Sequence, residues 1–244
     1  MVWPTIAGAG AVTTVVAIFG TTISPYLFFW QSSQEVEEID RDDAKHALEE
    51  APEEAPAELG RIRLDTFAGM AVSNLVALAI MIGTAATLHA AGRTEIATAA
   101  DAAEALRPVA GQFAFLLFAL GIIGTGLLAV PVLAGSAAYA IGEARGWEIG
   151  LEKKPWEAIG FYVVIGLAML LGIGIDWSPI DPIKALFWSA VINGIVAVPI
   201  MAVMMVVVSR KSQMGEFTAS LPLRLFGWTA TAVMAAAALA MFVV

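Results

Sequence analysis

An all-α integral membrane protein with about six transmembrane helices is the fold class this sequence predicts, and three observations carry that reading. Of 244 residues 59% are hydrophobic and only 14% charged, and the mean hydropathy is +0.80. Six apolar runs, each near the length of about 20 residues that spans a bilayer, divide the chain: 9–33, 65–89, 110–140, 157–176, 184–208 and 223–243. The charge is concentrated. Eleven acids between Glu35 and Glu58 face only Arg41 and Lys45, so this segment carries −9 and the remainder is neutral. No basic tract supports nucleic-acid binding. The chain has no cysteine, which excludes disulfides, thiolate metal sites and cysteine nucleophiles.

The first run contains the stretch with the most chemistry, Phe19-Gly-Thr-Thr-Ile-Ser-Pro-Tyr-Leu-Phe-Phe-Trp-Gln31. Pro25 has no N–H, so the Thr21 carbonyl loses its helical partner and the helix is expected to break at Ser24-Pro25. Inside a bilayer a freed carbonyl needs a new partner: a neighbouring helix, a water or an ion. Thr21, Thr22 and Ser24 add hydroxyl oxygens at the same level, and broken helices with such oxygens build the substrate sites of secondary transporters. A proline kink whose hydroxyls bond back to their own helix is the structural alternative. Gln31, Ser32 and Gln34 follow the break and could line a vestibule below it.

The connection after this run, an acidic loop over 35–62, is the longest polar stretch. Asp42–Ala51 could form a short helix, and Ala51-Pro-Glu-Glu-Ala-Pro56 reads as a turn-rich charged linker. His46 with Asp42 and Glu50 could share a face and hold a metal, although a solvated charged face is the commoner outcome of such spacing. The second run holds Asn74, and His89 at its end. A loop over 92–108 contains Thr98-x-x-Asp101, a capping-box signature for a surface helix. The third run carries Gly121, Gly124, Gly135 and Ser136, small residues suited to close helix approach, and Pro131, where it could bend. Gly121-Ile-Ile-Gly124-Thr-Gly126 is not a nucleotide loop, since no strand precedes it. The fourth ends at Asp176, a helix-end acid. The fifth holds Asn193 and Pro199. Met201, Met204 and Met205 read as core filling. Amides within apolar spans are expensive unless paired, so Asn74 and Asn193 are candidates for interhelical bonds or a substrate path. No nucleophile–base pair or hydrolytic motif is present, so an enzyme is not expected.

Counting Lys and Arg between runs gives ten in the first, third and fifth connections against three in the second and fourth. The odd connections are therefore expected in the cytoplasm and both termini outside. Residues 1–8 lack the basic n-region of a signal peptide, so no cleavage is predicted, and helices preceding this stretch are expected.

Three stretches, Gly20-Thr-Thr-Ile-Ser-Pro-Tyr-Leu-Phe-Phe-Trp-Gln31, Ala99-Ala-Asp-Ala-Ala-Glu-Ala-Leu-Arg-Pro-Val-Ala-Gly111 and Ile183-Lys-Ala-Leu-Phe-Trp-Ser-Ala-Val-Ile-Asn193, resemble the C-terminal half of Nramp-family divalent metal transporters. The resemblance runs from about Val12 to the end. It implies a leucine-transporter-like fold of two inverted five-helix repeats whose first and sixth helices are broken and meet at the metal. This chain then supplies the second repeat plus one extra helix, with its first run as the broken sixth helix. The family's sixth helix usually reads Ala-x-x-Met-Pro-His, with the alanine carbonyl and methionine sulfur as ligands. Here the positions read Thr21-x-x-Ser24-Pro25-Tyr26. A hydroxyl in place of a thioether removes the soft ligand and suits magnesium, calcium or manganese better than softer ions. The branch that lacks the methionine is similar to magnesium transporters, and Tyr26 lacks the near-neutral titration of a histidine.

The expected function is secondary transport of divalent cations such as Mn, Mg or Fe, with no resident cofactor, in a bacterial plasma membrane. Thr21 and Ser24 are the expected metal ligands, and Pro25, Tyr26, Gln31, Asn74 and Asn193 the expected pathway. A carboxylate from a missing N-terminal half, or self-association, is expected to complete the site. The rival reading is a membrane interaction protein whose acidic 35–58 loop binds a partner.

Overall fold

The structure is a computed structural model that describes residues 9–41, 48, 50–92, 96 and 98–243. The expected short helix over Asp42–Ala51 and the His46 cluster therefore fall largely outside the described residues. Among the described residues every regular element is a helix. They form two compact units, Met1–Ser32 with Gly174–Val244, and Ser33–Ile173.

In the first unit α1 (Ala9–Ile23) leads into the start of α2 (Tyr26–Arg41), and Ser24 and Pro25 separate them as expected. The other members are α8 (Pro182–Ser209), the single turn α9 (Lys211–Met214) and α10 (Leu221–Val243). Asp181 starts α8. Its carboxylate accepts from the Ile183 and Lys184 amides at 2.9 and 3.3 Å, and Pro182 at the first helical position needs no partner. Val16 and Ala17 pack on Ala190 and Val191, with Ile195, Ala237 and Met241 around them. Two glycines set how close α1 and α8 come. A Cβ on Gly20 would lie 1.9 Å from the Ala190 carbonyl oxygen, and one on Gly194 would lie 2.6 Å from that of Val16. Backbone approach of this kind admits only glycine.

In the second unit the rest of α2 joins α3 (Ala55–Thr84), the short α4 (Ala99–Ala103) and α5 (Arg107–Ala110), and α6 (Ala114–Arg145). α7 (Ile159–Asp176) begins there. The capping box is present: the Asp101 amide donates to the Thr98 hydroxyl at 3.1 Å, and the Thr98 amide donates to Asp101 Oδ2 at 2.9 Å. Tyr139 and Phe161 are the largest fully buried side chains, edge to face at 4.8 Å. Gly146 ends α6 in the left-handed conformation, which turns the chain so that Trp147 covers Gly160 and Ile149 covers Gly142.

Several boundaries differ from the sequence reading. Among the described residues five helical segments are long and apolar enough to cross a membrane, and the predicted fourth run forms a shorter apolar helix, Ile159–Ile175. Residues 52–56 are not a linker: a 3-10 turn at Pro52–Glu54 runs directly into α3. Prolines are tolerated in a first turn, and Glu53, Glu54 and Glu58 favour the positive end of the helix. α3 ends in a single π-turn, Ala85–His89. α6 and α8 run through Pro131 and Pro199 without interruption. Of the small residues picked out on α6, Gly135 and Ser136 are buried, whereas Gly121 and Gly124 meet nothing within 4 Å; backbone-to-backbone approach is seen at Gly20 and Gly194.

Replacing Gly20 by valine should lower stability by about 3 kcal/mol, because backbone rather than a flexible side chain stands in the way. Gly121→Ala should stay within about 0.5 kcal/mol. Denaturant titration in detergent, read by tryptophan fluorescence, checks both.

Candidate metal-binding break in the first helix

Around the break the missing Pro25 amide is answered locally, and the three hydroxyls bond back to their own helix, as the structural alternative had it. The Ser24 hydroxyl donates to the Thr21 carbonyl at 2.8 Å, taking the place of the absent i+4 amide. The Thr21 and Thr22 hydroxyls both donate to the Ile18 carbonyl at 2.8 Å. The Ser24 amide still reaches Gly20 at 3.3 Å, and the new helix starts with the Leu27 and Phe28 amides bonded to Ser24 and Pro25. Ser24 is 5% exposed and has φ of 42°, a left-handed conformation that costs a non-glycine residue roughly 1 kcal/mol or more. Pro25 is buried with it, Tyr26 is half-buried, and Thr21 and Gln31 are exposed. The Thr21 oxygen has a second lone pair beyond the one Ser24 uses, so one carbonyl and one hydroxyl oxygen converge within an apolar helix.

Asn193 reaches the same seam from α8. It precedes Gly194, whose amide packs on Gly20, one residue before Thr21. Asn193 is half-buried, and its side-chain amide has no hydrogen-bond partner among the described residues. Asn74 belongs to the second unit. It is exposed on α3 and donates to the Met70 carbonyl at 2.8 Å, so its amide is partnered within its own helix. Among the described residues no group of three or more His, Asp or Glu is placed to hold a metal ion, and the donors at the break are all neutral.

The second unit holds polar contacts that the sequence reading did not find. Tyr139 on α6 donates to Glu37 on α2 at 2.5 Å, Gln34 donates to the Tyr139 oxygen at 3.1 Å, and Ser33 donates to Glu143 at 2.8 Å. Arg41 pairs with Glu152 at 2.8 Å. Arg61 sits among Glu35, Glu38, Glu58 and Asp65 at 2.8 to 3.9 Å, so much of the acidic charge near α2 is occupied by one guanidinium. Lys153 bonds to Glu148, which holds that carboxyl below its usual range and raises the ammonium above its own. The sequence signal for the main contact was Tyr139 itself, since a tyrosine hydroxyl inside a packed helix must find a partner.

Long apolar helices, one of them broken at a buried proline, define an integral membrane protein. The family model described as natural resistance-associated macrophage protein-like matches residues 1–244, and the chain belongs to that family. It is similar to the divalent metal cation transporter MntH of Chromohalobacter salexigens, 29% identical over 175 residues, which are 72% of this chain and 37% of that protein. The MntH of Pectobacterium carotovorum is 23% identical over 192 residues, 79% of this chain and 41% of that protein. The MntH of Aeromonas hydrophila is 26% identical over 130 residues, 53% of this chain and 29% of that protein. The chain thus matches less than half the length of each of these relatives.

Ser24→Ala removes the bond to the Thr21 carbonyl and keeps the left-handed strain, whereas Ser24→Gly removes the bond and the strain together. Ser24→Gly should therefore be the more stable of the two by about 1 kcal/mol. Thermal unfolding of the pair in detergent checks the difference.

Proposed function

We propose that this chain is part of a carrier, not an enzyme, that moves divalent metal cations across a bacterial plasma membrane. The cation would be bound at the break between α1 and α2. The observation that carries this reading is the Thr21 carbonyl, which Pro25 deprives of its helical amide and which keeps one lone pair beside the Ser24 hydroxyl, 2.8 Å away, inside an apolar helix. When a cation takes the Thr21 oxygen, Ser24 can turn its own oxygen toward the same ion, because a hydroxyl accepts as well as donates. Asn193 would add an amide oxygen from α8, with Tyr26 and Gln31 along the path below. Asn74, whose NH2 donates to Met70, keeps an amide oxygen that would serve a substrate path. The names of the bacterial relatives agree with such a cargo.

An all-oxygen set favours hard ions such as magnesium or manganese. Neutral dipoles alone offset poorly the cost of dehydrating a divalent ion, so we assign at least one carboxylate ligand to a further transmembrane segment. That segment would come from another part of a longer chain, a second polypeptide or a second copy of this one. In the corresponding arrangement the described helices form the second of two inverted repeats. The connections rich in Lys and Arg lie in the cytoplasm, and both ends of this stretch lie outside.

Manganese uptake into vesicles carrying the chain with its complementary half tests the site. Ser24→Ala should weaken uptake about tenfold, as expected for one lost ligand, and Thr21→Ala should weaken it less because its carbonyl remains. Ser24→Met should shift preference from magnesium toward manganese by supplying a thioether. Unchanged uptake in both alanine variants would sink the assignment.

A further inference from the structure

We propose that Glu37 and Tyr139, with Ser33 and Glu143, form a polar clasp that sets how readily the second half of the broken helix leaves α6. The contacts share a register. Ser33 and Glu37 are one turn apart on α2, Tyr139 and Glu143 one turn apart on α6, and they pair in antiparallel order. Tyr139 is 0% exposed and Ser33 4%, while Glu37 is half-buried and Glu143 exposed, so each bond is buried on its hydroxyl side, where a lost partner costs most. The Glu37 oxygen that takes the Tyr139 proton also accepts the Leu151 amide at 3.2 Å. Gly150, at φ of 136°, allows that approach: its Cβ position lies 3.2 Å from the same oxygen. The carboxylate is thus held by a hydroxyl and a backbone amide on one atom, with the Gln34 amide 3.5 Å from the other. Beside the clasp lies a cavity of about 180 Å³ lined by Val36, Asp40, Trp147 and Glu152 among others. It leaves space next to α2 that a packed apolar interface would fill.

The clasp matters because α2 has no continuous backbone ladder to α1. An unbroken helix would be held along its length by its own hydrogen bonds, while this half depends on side chains. Its significance as a latch rests on the transport reading. Its existence does not.

Hydrogen exchange of the α2 amides in the full chain, reconstituted in lipid vesicles, tests it. Tyr139→Phe keeps the ring against Phe161 and removes only the hydroxyl, so exchange over residues 34–41 should quicken about tenfold while α8 is unchanged. Glu37→Ala should do the same. Glu37→Gln should stay near the unmodified rate, because the amide oxygen still accepts from Tyr139 and Leu151. The double variant Tyr139→Phe with Glu37→Ala should add little to either single change. Unchanged exchange over 34–41 in Tyr139→Phe, or equal effects of Glu37→Gln and Glu37→Ala, would overturn the clasp. Manganese uptake by the same vesicles, supplied with the complementary half, speaks to transport alone: no uptake by the unmodified chain would overturn that reading while the exchange result still decides the clasp.

Discussion

Pro25 has no hydrogen to give, and in a bilayer every backbone oxygen needs a partner. The rest of the arrangement follows from how that need is met. Ser24 turns into a left-handed conformation and hands its hydroxyl to the Thr21 carbonyl, so strain at one residue satisfies a polar atom at another. The bond is local and neutral. It stabilises the break without a charge, and it leaves the carbonyl with a lone pair still to use.

A broken helix needs support on both sides of the break. On the first side the support is steric: Gly20 and Gly194 let α1 and α8 approach backbone to backbone, and Val16, Ala17, Ala190 and Val191 fill the seam. On the second side it is polar, through Ser33, Gln34 and Glu37 to Tyr139 and Glu143. The two kinds of contact differ in how they yield. Close-packed backbone gives little over small displacements, whereas a set of oriented hydrogen bonds can be exchanged for water once it opens. Under the proposed transport reading, a firm half and a releasable half of one broken helix would serve an alternating-access carrier.

The neutral character of the break would bear on selectivity if a cation binds there as proposed. The donors this chain offers at the break are oxygens, and oxygen donors rank cations by size and charge rather than by softness. Under that proposal, discrimination among hard ions would depend on how rigidly the oxygens are spaced, which is where the packing of Gly20 against α8 and the left-handed Ser24 would enter. Asn193 stands close to that seam with an amide that has no partner among the described residues, on a helix whose other faces are apolar.

Much of this protein is legible in the residues alone. Membrane class, the apolar runs, the break at Ser24-Pro25 and the Thr98–Asp101 cap follow from composition, from a missing N–H and from side chains that bond within three or four residues, all of them local physics. Tertiary structure decided the rest. It showed that Ser24 caps Thr21 instead of pointing away, since a positive φ is not encoded by residue type. It left Gly121 and Gly124 without a near neighbour and put backbone-to-backbone approach at Gly20 and Gly194, because which glycine another element reaches is set by the packing. It joined Glu37 to Tyr139 across about a hundred residues of sequence, a distance over which no periodicity carries information. What is settled by neighbours in the chain could be read from it, and what is settled by neighbours in space could not.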